Sequence, residues 1–146
     1  MGWRIFKTAL QPTMKGARME QMPMVRLSNG LLVANFSSKH SFEFSSGEVL
    51  PGCSENRARA LSLDSVEVES PSACGRFTEI DLQFRLSGVV AEALDAALAS
   101  EADIVLVPLP VMEAAKRQGH AALAKIRAQR AADRIRKTVC PDRFCR

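Results

Sequence analysis

Between Thr78 and Val107 the chain spells out three elements in a row, and this run limits the possible folds more than any other. Ile80, Leu82, Phe84 and Leu86 alternate with Glu79, Asp81, Gln83 and Arg85. That is the period of a strand with one buried and one wet face, and it assigns Phe84 to the core. Ser87 is a good helix N-cap, after which Val90, Leu94, Ala97 and Leu98 fall on one helical face. Ile104-Val105-Leu106-Val107 is apolar on both faces and suits a central strand. Strand, helix and buried strand predict a crossover packed on a sheet.

The flanking segments add hairpins. Asn29-Gly30 between Met24–Leu27 and Leu31–Phe36 is a strong turn signal, because both residues tolerate positive φ. Ser45-Ser46-Gly47-Glu48 marks a second turn, with Phe42 and Phe44 sharing the buried face beside it. Ser54 caps a short helix that runs to Leu63, and Val66 and Val68 alternate with Glu67 and Glu69 as a strand. Pro108-Leu109-Pro110 stops the central strand and starts a helix that Gly119 ends. Residues 124–140 divide the reading. Alanine content favours a helix, while Arg134, Arg136 and Thr138 alternate with Ile135 and Val139 as a strand would. The expected fold is α+β: a mostly antiparallel sheet of hairpins with a helix crossover and two to three helices, in one domain over residues 24–146. Residues 1–23, rich in Met and broken by Pro12 and Gly16, read as a loosely ordered arm, or as an extension of a domain that begins near Met24.

At 146 residues the chain has room for one real core. No apolar run approaches the length of a membrane span. The first ten residues lack a signal-peptide core, and Phe6 stands where a myristoylation motif needs Ser or Thr. Four cysteines in such a chain point to reduced thiols and a cytoplasmic location. The net charge of +4 hides a division. Residues 1–115 carry 10 basic and 14 acidic side chains, whereas residues 116–146 carry 10 basic and 2 acidic. So lopsided a distribution favours anionic partners.

Three blocks carry a resemblance: N-G-L-L-V-A-N-F-S-S-K-H-S-F-E-F-S-S-G-E-V-L-P-G-C-S at 29–54, A-D-I-V-L-V-P-L-P-V-M at 102–112, and D-R-F-C at 142–145. Together they resemble a group of small proteins carried by bacteriophages and prophages, over about residues 25–146. In that group the position after Ser38 is often Pro, where this chain has Lys39. Its last segment is richer in β-branched residues, which tilts residues 124–140 towards strands. The resemblance implies a phage setting. Small phage proteins of this size are often inhibitors of host defence, and some act as sponges for cyclic-nucleotide signals.

Six cations, Lys125, Arg127, Arg130, Arg134, Arg136 and Lys137, fall within thirteen positions and are expected to hold phosphate groups, with Arg57 and Arg59 as secondary candidates. The alternative is a solvated face or pairing with the acidic part of the chain. A nucleotide also needs a stacking platform. Phe36 and Phe77 adjoin loops and are the candidates. Asn35, Ser37, Ser38 and His40 form a polar cluster between two strands, suited to an anion or a base edge, or else to a turn bonded to its own backbone. A Ser–His pair from His40 lacks an orienting third group and a nucleophile elbow, so no catalytic residue is assigned. Cys140-x4-Cys145 is weak as a zinc motif, no acidic metal cluster occurs, and no cofactor is expected. These observations lead to the expectation of a non-enzymatic, homo-oligomeric anti-defence protein that sequesters a phosphate-bearing ligand such as a cyclic nucleotide. The alternatives are a protein-binding inhibitor of a host defence complex and a general nucleic-acid binder. Helix-turn-helix and RNP signatures are absent, which disfavours sequence-specific reading.

Overall fold

A computed structural model describes residues 21–131 and 138–146. The first hairpin forms as the turn residues dictate. Strands β1 (Met24–Arg26) and β2 (Leu32–Asn35) pair antiparallel, with Gly30 at φ 94° in the turn. The Asn29 side chain holds that turn by accepting from the Leu31 N–H. A second short hairpin follows, β3 (Phe42–Glu43) with β4 (Val49–Leu50), then helix α1 (Glu55–Ala60) capped by the Ser54 hydroxyl. Strands β5 (Asp64–Pro71) and β6 (Thr78–Arg85) make a long two-stranded ribbon. Next come helix α2 (Gly88–Ala99), strand β7 (Ile104–Leu106), helix α3 (Leu109–Gln118), a 3-10 turn (Ala121–Ala124), and strands β8 (Ile126–Ala131) and β9 (Val139–Cys145).

The main sheet runs in the order β9-β8-β7-β2-β1. β7 lies at its centre, as its two-sided apolar run requires. Strands β2, β7 and β8 are parallel to one another, and β1 and β9 close the edges antiparallel. The fold is α+β as expected, but the main sheet is mixed, with two parallel and two antiparallel ladders, and the purely antiparallel pairs are the two separate hairpins. Residues 126–131 and 139–145 are strands, as the second expectation has it for those positions, while the alternation at Arg134, Ile135 and Arg136 lies outside the described residues. Pro141 is tolerated because β9 is an edge strand, and its ladder shifts register between Val139 and Phe144.

Each face of the sheet has its own core. On one face Val90 and Leu94 of α2, and Val111, Met112 and Ala115 of α3, pack on Ala34, Val105 and Ile126. On the other, Val33 and Leu106 meet Phe44, Leu50 and Val139, with Phe42 and Phe144 half-buried around them. Both helices are capped as expected: the Ser87 hydroxyl accepts from the Val90 N–H, and Gly119 adopts φ 64° at the end of α3. His120 joins the layers. Its Nδ1 accepts from the Ala122 N–H, and its Nε2 lies 3.3 Å from Asp95 of α2.

Two expectations fail here. Strand β6 forms, but its apolar face is not buried: Ile80 is 54% exposed, Leu82 64% and Phe84 38%. Alternation reports that a strand has two unlike faces; burial also needs a second layer, and α2 and α3 are already used on the main sheet. The crossover does not start from β6 either, because β6 pairs only with β5 and lies outside the sheet of β7. The within-sheet crossovers are β2 to β7, through the long insertion and α2, and β7 to β8 through α3.

Candidate functional site

A cleft of about 990 Å³ opens where the parallel strands deliver their carboxyl ends. Strand β2 ends at Asn35 and passes into the loop that supplies Ser38, His40 and Ser41 to the rim. Strand β7 ends at Leu106, and Val107-Pro108-Leu109 carries the wall into the amino end of α3. Ala128 and Gln129 of β8, Cys145 of β9 and Phe42 and Glu43 of β3 complete the lining. Clefts beyond the carboxyl ends of parallel strands recur as ligand sites because loops and helix amino ends converge there.

The rim loop is built from within. Asn35 is fully buried and its amide is spent on the fold: Nδ2 donates to the carbonyls of Ser38 at 2.9 Å and Pro51 at 3.0 Å, and Oδ1 accepts from the Ser38 N–H at 2.9 Å. The Ser38 hydroxyl accepts from the backbone N–H of His40 at 3.2 Å, a local turn bond. Residues 51–53 lie directly behind this loop. The Cys53 N–H donates to the Ser38 carbonyl, and a Cβ on Gly52 would stand 2.0 Å from the Lys39 oxygen, so the approach requires glycine.

The structure redistributes the residues expected to bind a ligand. His40 is exposed and lines the cleft. Asn35 shapes the rim instead of meeting a ligand. Phe36, expected as a stacking platform, is 0% exposed and belongs to the helix-covered core. Arg57 is 7% exposed; its Nε donates to the Phe36 carbonyl at 2.7 Å, and its guanidinium sits 5.7 Å from the Phe36 ring centre. Both are therefore corrected to structural roles, since strand β2 carries Phe36 inward and α1 folds back over it. Phe77 is 60% exposed but lies beside the turn of the β5–β6 ribbon and is not among the cleft residues.

The described part of the basic segment is likewise dispersed. Arg127 turns its guanidinium back on its own neighbours, Nη1 donating to the carbonyls of Leu123 and Ile126 and Nη2 to that of Ala124. It caps the 3-10 turn, and partial burial, with Arg146 adding repulsion, pulls its pKa down. Lys125 donates to the Ser100 carbonyl. Arg130 belongs to β8 through its backbone, and Arg134, Arg136 and Lys137 lie outside the described residues.

Sequence reasoning missed Glu43, Gln129 and Cys145, and the wall from Leu106 to Leu109. A signal for the wall was present: a Pro-Leu-Pro stop directly after a two-sided apolar strand marks the carboxyl end of a central strand, where clefts form. Among the described residues no disulfide forms, no cluster of three acidic, His or Cys side chains is arranged to hold a metal, and no helix is long and apolar enough to cross a membrane. Comparison with protein-family models, with curated proteins and with solved structures returns no match for this chain.

Proposed function

We propose that the protein is a binding protein of phage type that captures a phosphate-bearing small ligand, a cyclic nucleotide being the example that the phage resemblance suggests, and that the cleft at the carboxyl ends of β2, β7 and β8 receives it. The observation that supports this reading is the convergence of polar groups on one apolar-walled space: Ser38, His40, Ser41 and Gln129 with the amino end of α3. The dipole of α3 is positive at that end, and an imidazole gains affinity for an anion when protonated. Phe42 and Leu109 offer apolar surface for a base, and Glu43 restricts where an anionic group can sit.

The experiment is a thermal-shift panel of mono-, di- and cyclic nucleotides at two salt concentrations, followed by calorimetry on any hit. A ligand that binds only the native state raises the melting temperature by mass action, by roughly 2.7 kcal/mol of stability at a hundredfold excess over Kd. His40→Ala is expected to reduce the selective shift at least severalfold without changing the unliganded melting temperature, because His40 is exposed. Recovery of the ligand intact after denaturation supports capture, and recovery of a product contradicts it. A panel with no shift removes small nucleotides from consideration.

A further inference from the structure

The β5–β6 ribbon presents a surface that the rest of the molecule does not use. It stands apart from the main sheet, tied to α3 at its base: Arg117 donates to the Phe84 carbonyl at 2.7 Å, and Gln118 accepts from the Leu86 N–H at 2.9 Å. Register places Ile80, Leu82 and Phe84 on one face, opposite Glu69, Glu67 and Ser65 of β5. That face is an exposed apolar row bordered by carboxylates. The two edges of the ribbon differ. The outer edge of β5 carries Glu67 and Glu69 and ends at Pro71, which is how proteins protect an edge from pairing. The edge of β6 carries Glu79 and Asp81 too, but unlike β5 it also carries a cation, Arg85, so a second copy can face it with opposite charges.

We propose that β6 pairs with β6 of a second copy of this chain, antiparallel about a two-fold axis at Leu82, merging two ribbons into one four-stranded sheet. The sequence of β6 is self-complementary in this register. Leu82 meets Leu82 once on the axis, and Ile80 meets Phe84, Asp81 meets Gln83, and Glu79 meets Arg85, each of these three pairs occurring twice. Glu79 and Arg85 make no ion pair within the described residues of one chain. An axis at Asp81 would set two aspartates against each other. An axis at Gln83 would carry the pairing into Leu86, whose N–H is already given to Gln118. The Leu82 axis avoids the first and meets Leu86 only at its last position, opposite Thr78, and the Phe84 carbonyl can accept a second hydrogen bond beside that from Arg117. The merged sheet sets the two apolar rows side by side on one face, Leu82 against Leu82 and Ile80 against Phe84, and leaves Glu67 and Glu69 at its margins.

Light scattering after size exclusion, over a dilution series of the full chain, tests this. The expected mass is about twice the 16.0 kDa of one chain, falling towards one chain on dilution. Leu82→Lys places two ammonium groups at the axis and should weaken the dimer at least tenfold. Glu79→Arg alone should do the same, and the double variant Glu79→Arg/Arg85→Glu should recover it. Far-UV circular dichroism should stay unchanged in all three, since these side chains are exposed. A wild-type chain that stays at the single-chain mass overturns the proposal. So does a dimer indifferent to Leu82→Lys, or a charge-exchanged double variant that remains as weak as the single one. None of these readouts involves the cleft or its ligand.

Discussion

Asn35 shows how much one buried polar side chain can organise. Its amide bonds two carbonyls and one N–H, of which the Ser38 carbonyl also accepts from the Cys53 N–H, and so it holds the rim of the cleft to residues 51–53. Leaving buried groups unsatisfied costs about 1–3 kcal/mol each. Asn35→Ala is expected to lose about 2–4 kcal/mol in chemical denaturation. Asn35→Asp, although isosteric, should lose more, because a carboxylate would face the Ser38 and Pro51 carbonyls. If Asn35→Ala were neutral, the rim would be held by something else. Glu48 plays a related part in the open. Its carboxylate accepts from the Ser46 hydroxyl and, at 2.5 Å, from the Ser28 N–H, linking the second hairpin to the first turn. The Ser46 bond, followed by backbone donors and Ser28, lowers its pKa below the usual carboxylate value. A lowered folded-state pKa means that the contribution is present above the ordinary glutamate range and is lost as pH falls through the folded-state value. Glu48→Gln should therefore flatten the acid limb of melting temperature against pH and leave the neutral region nearly unchanged. An unaltered acid limb would show that the contact contributes nothing.

At the scale of elements, caps and turns were legible in the sequence and faces were less so. Ser54, Ser87 and Gly119 act where their chemistry assigns them, because caps depend on residues within one turn. The face of β6 was misjudged because burial depends on which layer arrives, a fact held by α2 and α3 and not by the strand. Helix α2 separates the two cases within a single element. Leu94 is fully buried and Val89 is 48% exposed, although both are apolar. Leu94→Ala is expected to cost about 2–5 kcal/mol and Val89→Ala less than about 0.5 kcal/mol, measured by urea denaturation. Comparable losses at both positions would contradict the packing of α2 on the sheet. The same dependence explains the candidate site. His40 was legible as a loop residue between strands. Phe36 and Arg57 were not legible as a buried stacked pair, because their contact joins residues 21 positions apart and needs α1 folded over β2.

For the whole molecule, the basic excess after residue 116 is visible in composition, yet the described cations there are partly engaged in local capping and do not line the cleft. A charge total states how many groups a segment carries and leaves open where each points. What the arrangement of strands implies most directly concerns the order in which the chain can become stable. Val33 pairs with Ile104, and Val105 with Ile126, so the parallel heart joins residues far apart in sequence. A nascent chain emerging from the ribosome carries β1 and β2 long before it carries β7. Until α2, β7 and α3 are released, the second hairpin can cover only the Val33 face of the first, and the face that carries Ala34 stays open to water and to other chains. Topologies of this kind close late and fold slowly for their size. The interval between synthesis of β2 and arrival of β7 is when this chain most depends on dilution or on chaperones.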